Sequence, residues 1–337
     1  MTQPAVDPTR RLAPVVRLAP AKLNLSLAVV GRRADGYHEL HSVMVPLELA
    51  DRLSLAPAAG PLDTLHVDGF DTGPLADNLV LRALAGVREA VGAGWAGSGG
   101  PPSPLAARLD KRIPVAAGLA GGSSDAAAAV DGALEAWGAR LTIHERLRVA
   151  SRLGSDVPFF LAGGAALVEG RGEAVSPLKG VLGDPPGVLL VTPHLAIRTP
   201  DVFAAWDAGP SARTGAIKTS SAHLAEELRA GLSARALVDR AGVLAVANDL
   251  VAATATLEPG LVGLRRALSR RLGRPVGQSG SGPTLWVLYP TGSEASSAAD
   301  EVREAIAGGA IPVPGEGEPF VAATTIAAGA APDRRDR

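Results

Sequence analysis

The chain has 337 residues, an apolar share of 47%, a charged share of 20% and a formal net charge of −1. That length allows two domains with real cores, and the balance is that of a globular chain rather than a disordered one. Near-neutral charge excludes an overall positive field for nucleic acid or an anionic membrane, and the lack of cysteine excludes thiol nucleophiles, disulfides and thiolate metal sites.

Residues 1–13 and 333–337 read as loose tails, the first without the apolar run of a signal peptide. No uncharged apolar stretch reaches ~18 residues, so the expectation is a cytoplasmic protein with no membrane partner. Leu23, Leu25, Leu27 and Val29 alternate with Asn24, Ser26 and Ala28, which predicts a strand with one buried face; Val43, Val45 and Leu47 repeat the pattern. Helical spacing of Leu81, Leu84, Ala85 and Arg88 predicts a helix over 78–91. The Gly/Ser/Pro-rich segment 92–104 follows as a loop. Its Gly92, Gly94 and Gly97 match Gly-x-Gly-x-x-Gly, but they follow a helix and run into Pro101-Pro102, so the dinucleotide reading fails. A strand over 105–113 and an Ala-rich helix over 123–137 come next. Thr142 with Glu145 is a capping-box signature that opens a helix to Leu153. Residues 165–175 read as a hairpin, and a composition shift over 178–186 divides the chain into 14–180 and 187–330. In the second part, 188–192, 285–289 and 320–326 read as strands and 222–240, 244–256, 261–272 and 294–307 as helices. The mixture predicts α+β architecture in both halves.

The strongest chemical signal is the run Pro114, Val115, Ala116, Ala117, Gly118, Leu119, Ala120, Gly121, Gly122, Ser123, Ser124. Small residues let backbone N–H groups approach a ligand, and the helix that follows at once adds unpaired donors and a positive dipole end. Together these suit a polyphosphate. Taken alone, such a run is also compatible with tight packing at a capped helix start. It is not a Walker A loop, because no Gly-Lys-Ser/Thr triplet occurs in the chain.

At this loop the chain resembles the GHMP kinases, whose phosphate motif reads Pro-x3-Gly-Leu-x-small-Ser-Ser. Gly280, Ser281 and Gly282, within 277–284, resemble that family's third, Gly-rich motif. Lys22-Leu23-Asn24-Leu25 with Arg33-Ala34-Asp35-Gly36-Tyr37-His38 narrows the resemblance to one branch; Gly154-Ser155-Asp156-Val157-Pro158 and Gly170-Arg171-Gly172-Glu173 agree. The resemblance implies a two-domain α+β fold, with an N-terminal ribosomal-protein-like domain and a C-terminal ferredoxin-like domain. It implies ATP and Mg²⁺ as cofactors. It also implies phosphorylation of the 2-hydroxyl of 4-(cytidine 5'-diphospho)-2-C-methyl-D-erythritol, in the non-mevalonate route to isoprenoid precursors.

The same resemblance implies the roles of single residues. Asp156 is the general base for the acceptor hydroxyl, although its residue context alone equally suits a turn aspartate. Lys22 neighbours Asp156, keeps that carboxylate ionised and helps stabilise the transition state; the alternative is an edge lysine reaching solvent. Asn78 and Lys111 join the loop in binding ATP, their alternatives being a helix cap and a surface charge at a strand end. Ser124 is the candidate metal ligand. Asn24, Tyr37, His38, Phe203, Gly280, Ser281 and Gly282 bind the substrate, Tyr37 by stacking on cytosine with Phe203 as the second face, unless Phe203 serves only core packing. Ala116, Ala117 and Ala120 stand where relatives often carry glycine, which is unfavourable wherever φ is positive. Asp125 stands where relatives often carry asparagine, adding charge near the phosphates. Other readings remain: a GHMP kinase for homoserine, mevalonate or a sugar, a nucleotide-binding relative without catalysis, and an RNA binder. The Tyr37-His38 block, the retention of Lys22 with Asp156, and the neutral charge respectively argue against them.

Overall fold

The structure is a computed structural model, and it describes residues 13–92, 102–209 and 214–328. The expected tails, apart from residue 13, and most of the loop 92–104 lie outside the described residues.

The chain opens with a long antiparallel pair, β1 (Val15–Arg32) and β2 (His38–Pro57). Contrary to the expectation of one buried face, β1 is buried on both faces through its middle, from Ala21 to Val29. Its apolar positions feed the core, and its polar positions are hydrogen-bonded inside: Asn24 to Ser42, Ser26 to Ser221. The alternation therefore separates apolar from polar interior, not interior from solvent.

β3 (Thr64–Gly69) runs into a 3-10 turn (Leu75–Asp77) and α1 (Leu79–Gly92). The stripe of α1 is turned from the one expected: Val80, Ala83, Leu84, Val87 and Val91 are its buried side, and Ala85 is exposed. β4 (Leu105–Lys111), the phosphate loop and α2 (Gly121–Trp137) follow. α3 (Ile143–Leu153) starts at Thr142 with both capping-box hydrogen bonds formed. The short α4 (Val157–Ala162) leads to the hairpin of β5 (Ala166–Gly170) and β6 (Ala174–Pro177). β2 holds β1 along one side and β4 and β5 along the other, with β3 parallel to β4.

After β7 (Val181–Leu182) come β8 (Gly187–Thr192), α5 (Thr199–Asp207) and α6 (Thr214–Ala230). The helix expected over 222–240 breaks. Gly231 sits at φ +97°, β9 (Leu232–Ser233) pairs with β7, and Ser233 caps a new helix, α7 (Ala234–Asp239). The helix expected over 244–256 also divides, into α8 (Ala241–Leu244) and α9 (Val251–Leu257). Between them the chain leaves helical geometry to bond β1: Leu27 N–H donates to Ala247 O at 2.7 Å, and Asp249 N–H to Leu27 O at 2.9 Å. α10 (Gly260–Leu272), β10 (Gly277–Gln278), β11 (Leu285–Tyr289), α11 (Gly292–Ala307) and β12 (Phe320–Thr325) complete the chain. Their sheet is antiparallel throughout, in the order β10-β11-β8-β12.

One apolar cluster joins the two sheets. Ala21, Leu23, Val43 and Val45 from the first pack with Val188, Leu190, Trp286 and Leu288 from the second, with Leu224 and Leu228 of α6 alongside. The architecture is α+β, and among the described residues no helix is long and apolar enough to cross a membrane.

Candidate active site

The phosphate loop turns back from β4 into α2 with a backbone that includes two unusual residues. Ala116 lies at φ +56° and Ala120 at φ +54°, so the unfavourable case for alanine is the one adopted. Ala120 is the residue at the start of α2 and offers no side-chain cap. The first N–H groups of that helix are thus left for a ligand.

The third Gly-rich segment is fastened to this loop. Thr284 donates its hydroxyl to Ala117 O at 2.6 Å, and Ser279 donates to Gly118 O at 2.9 Å. A Cβ on Gly282 would overlap the backbone of Ala117 and Gly118, and one on Gly118 would overlap the Ser279 carbonyl. The two loops therefore touch main chain to main chain, which only glycine permits at both positions. Gly280, at φ +61°, takes a hydrogen bond on its carbonyl from Asn248 at 2.9 Å.

Both loops wall a cleft of about 1030 Å³. Lys22 and Asn24 reach it from β1, Tyr37 from the β1–β2 turn, His38 from the start of β2, Asp156 from the start of α4, and Phe203 from α5. Asn78, Lys111, Gly280, Ser281, Gly282 and most of the phosphate loop also line it. Leu119 does not: its side chain is fully buried in the core, as a leucine in a loop of alanines and glycines would be. Ser124 does not line it either. Its hydroxyl is buried without a hydrogen-bond partner, because the turn of α2 directs the neighbouring Ser123 to the cleft instead. Of the two loop serines, it is therefore Ser123, and not the expected metal ligand Ser124, that lines the cleft.

Lys22 is nearly without solvent contact. Its ammonium donates to Asn24 Oδ1 at 2.7 Å and to Gly118 O at 2.6 Å, which leaves one of its three N–H groups. Burial lowers its pKa from the usual lysine range, and the charge of Asp156 pushes it back up. Asp156 makes no side-chain cap hydrogen bond to α4, although it stands at the cap position.

Lys111 is not a surface charge. It is buried between Asp51, with which it makes a short ion pair, and Asp125 at 2.9 Å. Asp51 also accepts from Ile113 N–H at 2.8 Å. Two carboxylates share one ammonium in a buried site. Burial, countered by Lys111 and reinforced by Asp51, pushes the Asp125 carboxyl up to about 7. The charge of Asp125 is thus opposed by Lys111, and both residues also line the cleft. Asn78 is both a cap and a wall: its Oδ1 accepts from Val80 N–H at 2.9 Å, while the residue faces the cleft.

At the other end, Tyr37 is half exposed, with the Arg171 guanidinium 5.0 Å from its ring centre. Phe203 does more than pack in the core. It stacks on His38, with ring centres 4.6 Å apart and planes within 19°. Asp51, Asp207 and Asn248 were not expected here. Each is joined to its partner across a long stretch of sequence, and no local pattern marks such a residue.

The loop and the fold around it define the class, a GHMP-type kinase. Residues 78–164 match the GHMP kinases N-terminal domain. A 4-diphosphocytidyl-2-C-methyl-D-erythritol kinase of Pelotomaculum thermopropionicum is 37% identical over 81% of this chain and 88% of its own length. A crystal structure of 4-(cytidine 5'-diphospho)-2C-methyl-D-erythritol kinase superposes with TM-score 0.64 at 33% identity, over 92% of this chain and 99% of that one. A homoserine kinase from Cytophaga hutchinsonii reaches TM-score 0.65 over 96% and 98% of the two chains at only 18% identity, a likeness of fold alone. The chain belongs to the 4-diphosphocytidyl-2-C-methyl-D-erythritol kinase family.

Proposed function

We propose that this chain transfers the terminal phosphoryl group of ATP to the 2-hydroxyl of 4-(cytidine 5'-diphospho)-2-C-methyl-D-erythritol. The observation that carries the proposal is a single cleft. It has a polyphosphate-sized N–H cradle and a buried lysine at one end, and aromatic rings suited to a base at the other. ATP use is general to the GHMP kinases. In the reaction, the acceptor hydroxyl gives its proton to Asp156, its oxygen forms the new bond to phosphorus, and the bond to the ADP oxygen breaks. The transition state is loose, so the protein contributes position and charge rather than covalent chemistry. Lys22 keeps one N–H for the transferring group, and the carbonyl of Gly118 and the amide of Asn24 hold it in place.

Among the described residues no group of three or more His, Cys, Asp or Glu could hold a metal ion. Mg²⁺ fits nonetheless, because it keeps waters and phosphate oxygens and needs few protein ligands; Ser123 is the loop hydroxyl that the cleft offers. When bound it would neutralise phosphate charge. Tyr37, His38 and Phe203 are read as the base-binding group. The division into units 14–180 and 187–330 belongs to the same proposal.

The test is ADP release with ATP, Mg²⁺ and the cytidine diphosphate conjugate, for wild type and Asp156→Asn. Turnover by the wild type, with a loss of at least ~100-fold in the variant, is expected for a general base. Wild-type turnover without that loss removes Asp156 from its role. No wild-type turnover removes the acceptor.

A further inference from the structure

Lys22 and Asn24 sit on an irregular stretch of β1. Its register with β2 shifts between Pro20 and Lys22 and again between Asn24 and Ser26. Such breaks re-aim side chains, and these two bracket the lysine and the asparagine. Both residues line the cleft, where Lys22 Nζ donates to Asn24 Oδ1 at 2.7 Å. At the other end of the amide, Asn24 Nδ2 donates to Ser42 Oγ at 2.9 Å. Ser42 lies on β2, has no exposed surface and does not line the cleft. Its hydroxyl donates to the Ser26 carbonyl at 2.6 Å.

A serine hydroxyl has one proton. Ser42 commits it to a carbonyl, which can only accept, so the Ser42 oxygen faces Asn24 as an acceptor. Only the NH2 end of the amide can meet it, and Oδ1 is therefore turned to Lys22. The two ends cannot be exchanged. Reversal would set an NH2 against an ammonium, two donors, and an amide oxygen against a hydroxyl whose proton points elsewhere. Burial opposes the charge on Lys22, and the carboxylate of Asp156 favours it. An acceptor aimed at the ammonium favours it as well. With Asn24 Oδ1 and Gly118 O each holding one N–H, the third has one direction left.

Resting on the function read above, we propose that Ser42 is a positioning residue for phosphoryl transfer. It fixes the orientation of the Asn24 amide, and through it holds Lys22 as an ammonium whose free N–H is directed at the transferring group. Ser42 touches no reacting atom. Its effect belongs to the transfer step, not to the binding of ATP.

The test has two arms, and the first needs no substrate. The chain has four lysines, Lys22, Lys111, Lys179 and Lys218, so carbon-13 NMR at lysine Cε, with Lys22→Met for assignment, follows the Lys22 titration directly. Ser42→Ala frees the amide to reverse, and the titration of Lys22 should move down by about one pH unit, the size of one hydrogen bond. Ser42→Thr keeps the hydroxyl and should titrate as wild type. Ser42→Cys is a weaker donor and acceptor, should shift in the same direction by less, and stands in if the alanine protein does not fold. An unmoved titration in the alanine or the substituting cysteine protein, or an equal shift in Ser42→Thr, overturns the proposal. Kinetics of the same variants form the second arm. The kcat should fall about tenfold in Ser42→Ala and recover in Ser42→Thr, with the KM for ATP near wild type, as for an interaction made in the transition state. In an Asn24→Ala background, Ser42→Ala should lower kcat no further, which a general loss of structure would not do. A further fall in that background overturns the proposal. A shifted titration without wild-type turnover removes the acceptor read above and leaves the positioning of Lys22 standing.

Discussion

Ala116 and Ala120 hold left-handed backbone in the loop that cradles phosphate. A Cβ there crowds the neighbouring carbonyl at a cost of roughly 1–2 kcal/mol, whereas glycine adds roughly 0.4–1 kcal/mol of unfolded-chain entropy. The strain is the larger of the two. Ala120→Gly is therefore expected to raise stability by about 0.5–1 kcal/mol, read as a higher urea midpoint at unchanged slope. A lower midpoint would show that the loop relieves the strain by other means. Gly282→Ala works in the opposite sense, because its Cβ meets backbone of Ala117 and Gly118 that has no rotamer to yield. A loss of about 1–3 kcal/mol is expected, together with a raised KM for ATP, measured by urea unfolding and initial rates. The sequence identified both loops by composition. It could not give the sign of φ at Ala116, nor the contact between Gly118 and Gly282, since neither is a property of neighbours in the chain.

At the scale of elements, the junction of β4 and α2 stores a proton. The Asp125 carboxyl is raised from near 3.8 to about 7 in the folded chain, by burial beside Lys111 and Asp51. Between those values the folded chain binds more protons than the unfolded one. This contribution to stability is full below pH ~4 and is lost as pH rises through 7, by up to about 1.4 kcal/mol per pH unit. Asp125→Asn should flatten that slope, as read by unfolding midpoints across pH 4 to ~8. An equal slope in both proteins would place the proton elsewhere. Elements with strong local signals were legible, such as α3 with Thr142 and Glu145 at its cap. The breaks after α6 and α8 were not. Gly231 was a visible breaker, but the bonds from Leu27 to Ala247 and Asp249 that interrupt the second helix join segments far apart in sequence.

For the whole molecule, the cluster that joins the two sheets governs behaviour. Trp286, almost without exposure, sits in that cluster among side chains from both sheets. Opening either sheet would expose apolar surface of the other. The chain is expected to unfold in one transition, with far-ultraviolet circular dichroism and the fluorescence change of the Trp286→Phe difference coinciding in urea. Separate midpoints would mean that the cluster does not couple the sheets. The same packing gives the cleft its walls. The phosphate loop follows a strand of the first sheet, the Gly280 loop joins two strands of the second, and Thr284 and Ser279 bind the two loops together.

By itself the sequence determined the chemistry that short segments carry. It gave a loop small enough to bring N–H groups to a phosphate, a helix starting behind it, and the Lys22 and Tyr37-His38 blocks that mark the family. These depend on residue size and spacing, which the chain states directly. Only the tertiary structure decided that Ser123 rather than Ser124 faces the cleft, that Lys111 lies between Asp51 and Asp125, and that Asp207 holds His38. Those outcomes turn on the rotation of a helix, the burial of a site and the meeting of residues far apart in the chain. Each is set by packing across elements, which spacing along one element does not encode.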